Sequence, residues 1–317
     1  MLVDDPDIET SLKLTEFQAS VERCVGMLNG RLKHCGRSAH RHLRRAWTLR
    51  QSAPELAAFC MITAEEEAAT AVILAVKSKL YSGSEKLNHK SHPHKLSLTP
   101  FLRAIHDALK HFDYAMPEIL IQENQKQYKV ILRFDANKLT GSTSETAKFI
   151  EPIPALNFVI SDQNGPLNFI EKLTEVAELK GFQNILEYIN NEANLRNKLL
   201  YAQEGGIAHV KLPTEFFERR VQRVTNLFIL TLLITQSSEK QVFVTQCLDA
   251  LLQIHKRIDA TQFEFEPSVD GPLFRVERLG SADPIITYTE RWAGILDFSC
   301  IWSPSWNVER FWIMALY

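Results

Sequence analysis

The chain has 317 residues, enough for one large domain or two ordinary ones with an extensive apolar core. Hydrophobic residues make up 45% of it and charged residues 23%, which is typical of a soluble globular protein. The formal net charge of −2 gives no overall attraction to nucleic acids or anionic membranes, so such binding must depend on local charge. Five scattered cysteines without a CxxC pair argue against a disulfide framework or a zinc knuckle.

The sequence predicts neither export nor membrane insertion. The first segment, MLVDDPDIETSLK, is acidic and polar, unlike a secretory signal. Outside the central helix described below, the longest strongly apolar run is 227–234, far short of the ~20 residues that cross a bilayer. We therefore expect a cytoplasmic protein that makes no membrane contact.

Residues 10–50 predict one or two helices, because apolar residues recur at steps of three and four from Leu12 to Leu32. Gly36 is a candidate interruption. The same region contains a basic segment without an acidic residue, made up of Arg31, Lys33, Arg37, Arg41, Arg44, Arg45 and Arg50. Two interpretations stay open: a solvated helix face whose arginines pair with acids elsewhere, or a phosphate-contacting surface, which the guanidinium fork suits.

Residues 54–81 predict a long central helix with Pro54 in its first turn. The segment is almost wholly apolar or small, except chiefly for three adjacent glutamates, Glu65, Glu66 and Glu67. Carboxylates in a core are costly unless they meet partners. Because successive helical residues turn by about 100°, the three cannot all reach one surface. We expect arginines of the basic segment, Arg196 or the following loop to meet them.

That loop, residues 82–100, is polar and is called the His-Lys loop here because it carries His89, His92, His94 and Lys95. The HxxHxH spacing without a nearby cysteine is a weak zinc signal. Binding of an anion, or of the central carboxylates, by this loop is favoured. A helix from 99 to about 111 is predicted to follow.

Beyond residue 116 the predicted elements alternate between β and α. Two β-rich runs around the polar turn ENQKQ predict a hairpin, and IPALNFVISDQNG predicts another strand. Helices are predicted from 166 to 181, 182 to 202, 214 to 235 and 241 to 258, with the last two joined as an antiparallel helical hairpin. The final segment alternates in places and holds four of the five tryptophans, which predicts strands and either a buried tail or a partner-binding segment.

We therefore expect a mainly α fold: a helical bundle with a small β insertion and a β-rich, aromatic C-terminal segment. The predicted divisions are 1–116 and 166–260 for the two halves of the bundle, 117–165 for the insertion and 261–317 for the last segment.

The commonest catalytic motifs, including the phosphate-binding glycine-rich loops, G-x-S-x-G and H-E-x-x-H, do not occur. One candidate constellation is Arg37 and His42, with four residues between them. On a helix they lie about 140° apart, but a loop near Gly36 would bring them together. An arginine that stabilises phosphorane-like charge and a histidine that moves the 2′-hydroxyl proton suffice for metal-independent RNA cleavage. Any basic helix supplies this spacing by chance, so a purely structural role stays open.

A second constellation is NLRNKLLY, residues 194–201, on a predicted helix. Arg196 and Asn197 interrupt its apolar pattern. They face a cleft, or Arg196 pairs with an acid such as one of the three central glutamates.

The central AEEEAATAVILA, residues 64–75, resembles the "ALEE-GK" helix of the AbiV-type abortive-infection proteins, which sit near the HEPN superfamily of helical bundles. The segment His92–Lys95 is similar to that family's His-Lys segment. Residues 196–201, followed by two glycines and a proline, are similar to its Arg…Leu-Tyr…Gly…Pro segment. Two positions depart from the pattern: Ala-Thr replaces Gly-Lys after the glutamates, and Tyr201 stands where a HEPN nuclease carries histidine. With a pKa of about 10, tyrosine is a poor general base at neutral pH.

The resemblance covers residues 10–115 and 166–258, and implies a bacterial antiphage or abortive-infection protein that acts on RNA or on translation, as a metal-independent ribonuclease. Arg37 or Arg196 would neutralise phosphate charge, His42 would carry the proton, and Glu66 would orient an arginine. Tyr201 completes the predicted catalytic set. The predicted RNA- or anion-binding residues are Arg41, Arg44, Arg45, His92 and Lys95. No cofactor or metal is expected.

Two alternatives stay open. The chain is a non-catalytic, homodimeric module that binds a protein or nucleic acid through the basic segment and the aromatic tail. Otherwise, it is a metal hydrolase that uses the three glutamates with His89, His92 and His94, which are suitable ligand types.

Overall fold

The computed structural model describes residues 12–99, 101–103, 117–124, 126–137, 149–162, 165–166, 169, 178 and 212–254, and the backbone of 274–277, 285–288 and 307–312. At 160–162, 165–166 and 254 it also describes the backbone alone. Within these residues the protein is mainly helical with small β-sheets, which confirms the predicted fold class. None of the described helices is both long and apolar enough to cross a lipid bilayer.

Six α-helices lie in the described part of the chain. They are α1 (Glu16–Met27), α2 (Gly30–Leu49), α3 (Pro54–Ser78), α4 (His92–Leu96), α5 (Thr214–Gln236) and α6 (Val242–Ile254). The bounds of α3 and α5 agree with the predicted helices to within three residues. The predicted helix at 182–202, and most of those at 99–111 and 166–181, fall outside the described residues.

The first two helices separate at Leu28 and Asn29, both of which have extended backbone. Gly36 was the predicted interruption, and this prediction is wrong, because Gly36 lies buried inside the continuous helix α2. A Cβ atom at this position would lie 2.1 Å from Cγ1 of Val25 on α1. The glycine therefore permits close packing of two helices and does not end one.

Helix α3 is the centre of the structure, and it packs against α2 on one side and α5 on another. Its buried residues cover most of its circumference, with Met61 and Ile73 fully buried, and a narrow side that includes Cys60, Thr63 and Glu67 is partly exposed. A helix that is apolar on most sides belongs in a core, as predicted for this segment.

The strands among the described residues form two sheets. Their bounds are β1 (Glu118–Glu123), β2 (Tyr128–Asp135), β3 (Phe149–Ile150), β4 (Phe158–Asp162), β5 (Gly165–Pro166), β6 (Phe274–Glu277), β7 (Ile285–Tyr288) and β8 (Asn307–Trp312). Strands β1 and β2 are antiparallel and meet at a turn in which the N–H of Asn124 donates to the carbonyl of Gln127, which confirms the predicted hairpin.

The β insertion and the C-terminal segment contribute to the same sheets. One sheet has the order β3-β2-β1-β8, so the aromatic segment 307–312 pairs with the hairpin. The other has the order β5-β4-β6-β7, with β4 and β6 parallel.

Polar side chains join the first sheet to the helices. The side-chain amide of Gln236, at the end of α5, accepts from the N–H of Val130 at 2.9 Å and donates to its carbonyl at 2.7 Å. On β1, the carboxylate of Glu123 accepts hydrogen bonds from Ser20 and Arg23 on α1. Both contacts satisfy polar groups at the junction of the helical layer with the sheet.

Candidate functional site

The three glutamates of α3 point to three different neighbours. Glu65 faces α5, Glu66 faces the His-Lys loop and Glu67 lies near α2. This divergence follows from the 100° turn per helical residue, and it confirms that the three carboxylates cannot share one surface.

Glu65 forms a buried ion pair. Its carboxylate accepts hydrogen bonds from Arg220 on α5 and from the hydroxyl of Thr99, and Arg223 lies 3.9 Å away. The side chains of Glu65 and Arg220 are only 3% and 7% exposed. Burial raises the pKa of Glu65, but the two arginines and the hydrogen bonds outweigh it, so this pKa lies below its usual range.

Glu66 connects the core to the His-Lys loop. Its Oε1 lies 2.7 Å from Nδ1 of His92, and its Oε2 accepts from Nζ of Lys95 at 2.7 Å. Because a carboxylate only accepts, Nδ1 of His92 carries the donated proton. The side chain of Glu66 is 6% exposed and that of His92 is 41% exposed. A buried carboxylate therefore orients an imidazole that reaches solvent, an arrangement suited to proton transfer.

This geometry bears on two predictions. The His-Lys loop does meet a central carboxylate, as expected. The predicted role of Glu66 in orienting an arginine stays a prediction, because His92 and Lys95 contact its two oxygens and Arg196 lies outside the described residues. Among the described residues, it is the neighbouring Glu65 that binds an arginine.

The His-Lys loop lies in a region of positive charge. Burial and then the charges of Arg31, Lys77, Lys90 and Lys95 lower the pKa of His89. The basic segment therefore approaches the loop at the beginning of α2, where Arg31 is located.

Glu67 is partly buried and lies near Cys35 and His42 on α2. Burial, followed by the charge of Glu67 and a hydrogen bond to it, raises the pKa of the Cys35 thiol to about 11. Burial, with the charges of Arg45 and Arg41, lowers the pKa of His42 despite the opposing effect of Glu67. Nδ1 of His42 is buried without a hydrogen-bond partner among the described residues.

Arg37 and His42 do not come together. Both lie on the continuous helix α2, five residues and about 140° apart. Arg37 is exposed, whereas His42 is partly buried beside α3. Since Gly36 forms no loop, the structure lacks the bend that would join them.

The exposed arginines instead form a groove on the surface of α2. It is open, has a volume of about 540 Å³, and is called the α2 groove here. Its lining consists of Glu22 from α1 and, from α2, Arg37, Arg41, Arg44, Arg45 and Thr48.

One of these arginines is neutralised. Arg44 donates two hydrogen bonds to the carboxylate of Glu22, at 2.8 and 2.7 Å. Burial raises the pKa of Glu22, but the hydrogen bond from Arg44 and the charges of His40, Arg44 and Arg23 lower it overall. Four guanidinium groups against one carboxylate leave an excess of positive charge in the groove. Pairing with an acid, one of the two interpretations of the basic segment, is therefore confirmed for Arg44, and the phosphate-contacting surface stays a prediction for the other arginines.

Arg220 was missed by the sequence reasoning although a signal exists. It follows Phe217 by three residues and precedes Val224 by four, and both of these are buried on α5. An arginine within a buried apolar stripe requires an anionic partner. The same requirement, applied to the glutamates of α3, identifies the pair.

Arg196 and Tyr201 fall outside the described residues, so the pairing of Arg196 with a central glutamate stays a prediction. Among the described side chains, no group of three or more His, Cys, Asp or Glu residues is arranged to hold a metal ion.

No protein-family model, curated protein or solved structure matches this chain.

Proposed function

We propose that this chain binds RNA through the α2 groove, and that it acts on RNA or translation as an antiphage protein of the abortive-infection type. The observation that carries the RNA-binding part is the groove itself, where four exposed guanidinium groups face a single acid. The defence role comes from the sequence resemblance.

Arginine suits this role because its planar fork donates paired hydrogen bonds to phosphate oxygens and keeps its charge at every physiological pH. Arg37, Arg41 and Arg45 follow each other at four-residue steps, so they lie on neighbouring turns of α2. An RNA strand would displace counterions as these groups meet its phosphates, which makes salt the sharpest probe.

Replacement of Arg41 and Arg45 by alanine tests the proposal. For about three phosphate contacts, one for each arginine without a carboxylate partner in the groove, the affinity of the wild-type protein for RNA should fall about 20- to 40-fold between 50 and 200 mM salt, the larger value being for a duplex. Each arginine removed should weaken binding at low salt and reduce the salt slope by about 0.7 to 0.9 on a logarithmic scale. Fluorescence anisotropy with a labelled RNA measures both quantities.

Lys240→Ala is the matched control, since it also removes one exposed positive charge. It lies just beyond α5, whose opposite end contacts α2 through Phe217 and Trp47. Equal losses in the control and in the arginine variants would show that only net charge matters, and the proposed groove would then have no role.

A second candidate function, metal-independent RNA cleavage, is favoured by the cluster of Glu66, His92 and Lys95. The imidazole of His92 would accept the 2′-hydroxyl proton, the 2′-oxygen would attack phosphorus, and the 5′-oxygen would leave with a proton from solvent. The products are a 2′,3′-cyclic phosphate and a 5′-hydroxyl. The side chain of His92 is 41% exposed, whereas Nδ1 of His42 is buried and His42 lies apart from Arg37 on α2.

Incubation of labelled RNA in EDTA tests the cleavage candidate. We expect cyclic-phosphate products from the wild-type protein and a loss of at least about 100-fold in rate for His92→Gln. His34→Gln, an exposed site on α2, is the control. Absence of cleavage, or equal cleavage in His92→Gln, Arg37→Ala, His42→Ala and Arg196→Ala, would leave the non-catalytic RNA-binding module.

A further inference from the structure

We infer that the α2 groove holds the sugar-phosphate backbone of double-stranded RNA, and not the unstacked bases of a single strand. This inference rests on the RNA binding proposed above and specifies its substrate class. It is drawn from what lines the groove, how its arginines are spaced and which element forms its wall.

The described lining of the groove has no aromatic ring on which bases can stack. Proteins that recognise single-stranded RNA stack its bases mainly on aromatic side chains, with arginine planes as a second kind of support. In the part of the chain that the structure describes, the lining contains arginines, one glutamate and one threonine. The nearby Trp47 is covered by the guanidinium of Arg50, 3.7 Å from the ring centroid, and Phe217 packs against it at 5.0 Å. The described lining therefore favours contacts with a phosphate backbone.

The arginines follow the regular spacing of a helix. Steps of four residues along an α-helix place Arg37, Arg41 and Arg45 about 6 Å apart along the axis. The bidentate contact with Glu22 fixes the neighbouring Arg44 in one orientation. A row whose spacing is fixed by a helix matches a partner whose phosphates are also held at regular spacing, and base pairing provides that regularity. A flexible single strand must lose conformational entropy to adopt it.

Helix α2 is not shaped to enter a groove of the nucleic acid. Glu22 of α1 forms part of the lining, so the arginine face of α2 is flanked by a second helix and lies in a shallow, open groove. A helix that reads base edges in a major groove must protrude. The flanked face is instead suited to contact with the backbone of a duplex, and we expect binding that is independent of base sequence.

Thr48 gives the groove a means of preferring RNA over DNA. Its exposed hydroxyl donates to the carbonyl of Arg44 at 3.1 Å, and its oxygen retains capacity to accept a hydrogen bond. A ribose 2′-hydroxyl is a donor that DNA lacks. Thr48 therefore marks the position in the groove where a 2′-hydroxyl would be recognised.

The test compares three ligands with the full-length protein at one salt concentration: an RNA duplex of about 16 base pairs, one of its strands alone, and the DNA duplex of the same sequence. We expect the RNA duplex to bind at least about tenfold more tightly than either alternative, and a scrambled duplex to bind equally well. Arg41→Ala should lose duplex binding while Lys240→Ala keeps it. Thr48→Val, which is nearly isosteric, should lose only the preference for RNA over DNA.

Each outcome decides a specific point. Equal or tighter binding of the single strand would overturn the duplex inference and leave the proposed RNA binding in place. Equal binding of the DNA duplex by the wild-type protein would overturn the role of Thr48. Binding of no RNA at all would overturn the proposed function as well. Circular dichroism and thermal melting of the variants, all at exposed positions, separate these results from loss of the fold.

Discussion

Glu65 shows how a charged residue is accommodated at the centre of a helical core. Removal of a carboxylate and a guanidinium from water costs several kcal/mol for each ion, and attraction offsets this only when the geometry is good. Arg220 donates directly to Glu65, Thr99 adds a hydroxyl donor, and Arg223 contributes charge from 3.9 Å. The ion pair therefore specifies how α5 docks on α3 more than it adds net stability.

Glu66 differs from Glu65 in what its partners can do. Arg220 is as buried as Glu65, so that pair is closed to a substrate. By contrast, the side chain of His92, which contacts Glu66, is exposed to solvent. Two adjacent residues of one helix thus divide between a structural pair and a candidate for proton transfer.

At the scale of elements, the contact between α1 and α2 depends on Gly36. A Cβ at this position would lie 2.1 Å from Cγ1 of Val25, which is buried and β-branched and so has little rotamer freedom. We expect Gly36→Ala to lower the free energy of unfolding by about 1–3 kcal/mol, because the two helices must move apart. Urea denaturation followed by circular dichroism measures the change.

Gly26→Ala is the matched control for this prediction. Gly26 lies on α1, and an added Cβ there would meet nothing within 4 Å. Alanine has the higher helix propensity, so this variant should gain up to about 1 kcal/mol. A neutral or stabilising Gly36→Ala would mean that the two helices are not packed closely at this site.

The elements that the sequence predicts well are those whose local pattern agrees with their final environment. Helix α3 is mostly apolar and is buried over most of its circumference, and the hairpin has a polar turn between two β-rich runs. The prediction for Gly36 is wrong because the sequence alone does not distinguish a glycine that ends a helix from one that permits close helix packing. Only the position of Val25 on another helix distinguishes them.

The sequence predicts the contacts of the candidate site that lie near in the chain and not those between distant segments. The need of buried carboxylates for partners correctly indicated the His-Lys loop, since the charges and their proximity in sequence limit the choices. The partner of Glu65 was not identified, because Arg220 lies 155 residues away and tertiary packing alone brings it near. The sequence does not predict the α2 groove, because part of its lining, Glu22, comes from α1.

At the scale of the whole molecule, stability should fall in two steps as the pH is lowered. Burial lowers the pKa of His40, so below about pH 6.5 the unfolded chain binds a proton that the folded chain resists. The pKa of Glu65 is also lowered in the fold, so its contribution is present above about pH 4.3 and is lost as the pH falls below it. Glu22, whose pKa is lowered too, adds to this second step.

Glu65→Gln tests the second step and the buried pair together. At pH 7 the variant should be about 3–5 kcal/mol less stable, because Arg220 remains buried without its carboxylate. Below about pH 4.3 its stability should fall less steeply than that of the wild type, by up to about 1.4 kcal/mol per pH unit, since one proton fewer is bound on unfolding. Glu67→Gln, at a partly buried position two residues further along α3, should change the neutral-pH stability by less than about 1 kcal/mol. His40→Gln should reduce the step below about pH 6.5, to which the lowered pKa values of His42 and His89 also contribute, and should keep the acid step. Urea midpoints measured across this pH range give the stability curves of the wild type and the three variants. If Glu65→Gln were as stable as Glu67→Gln at pH 7, and its stability fell as steeply with pH as that of the wild type, the ion pair would not form.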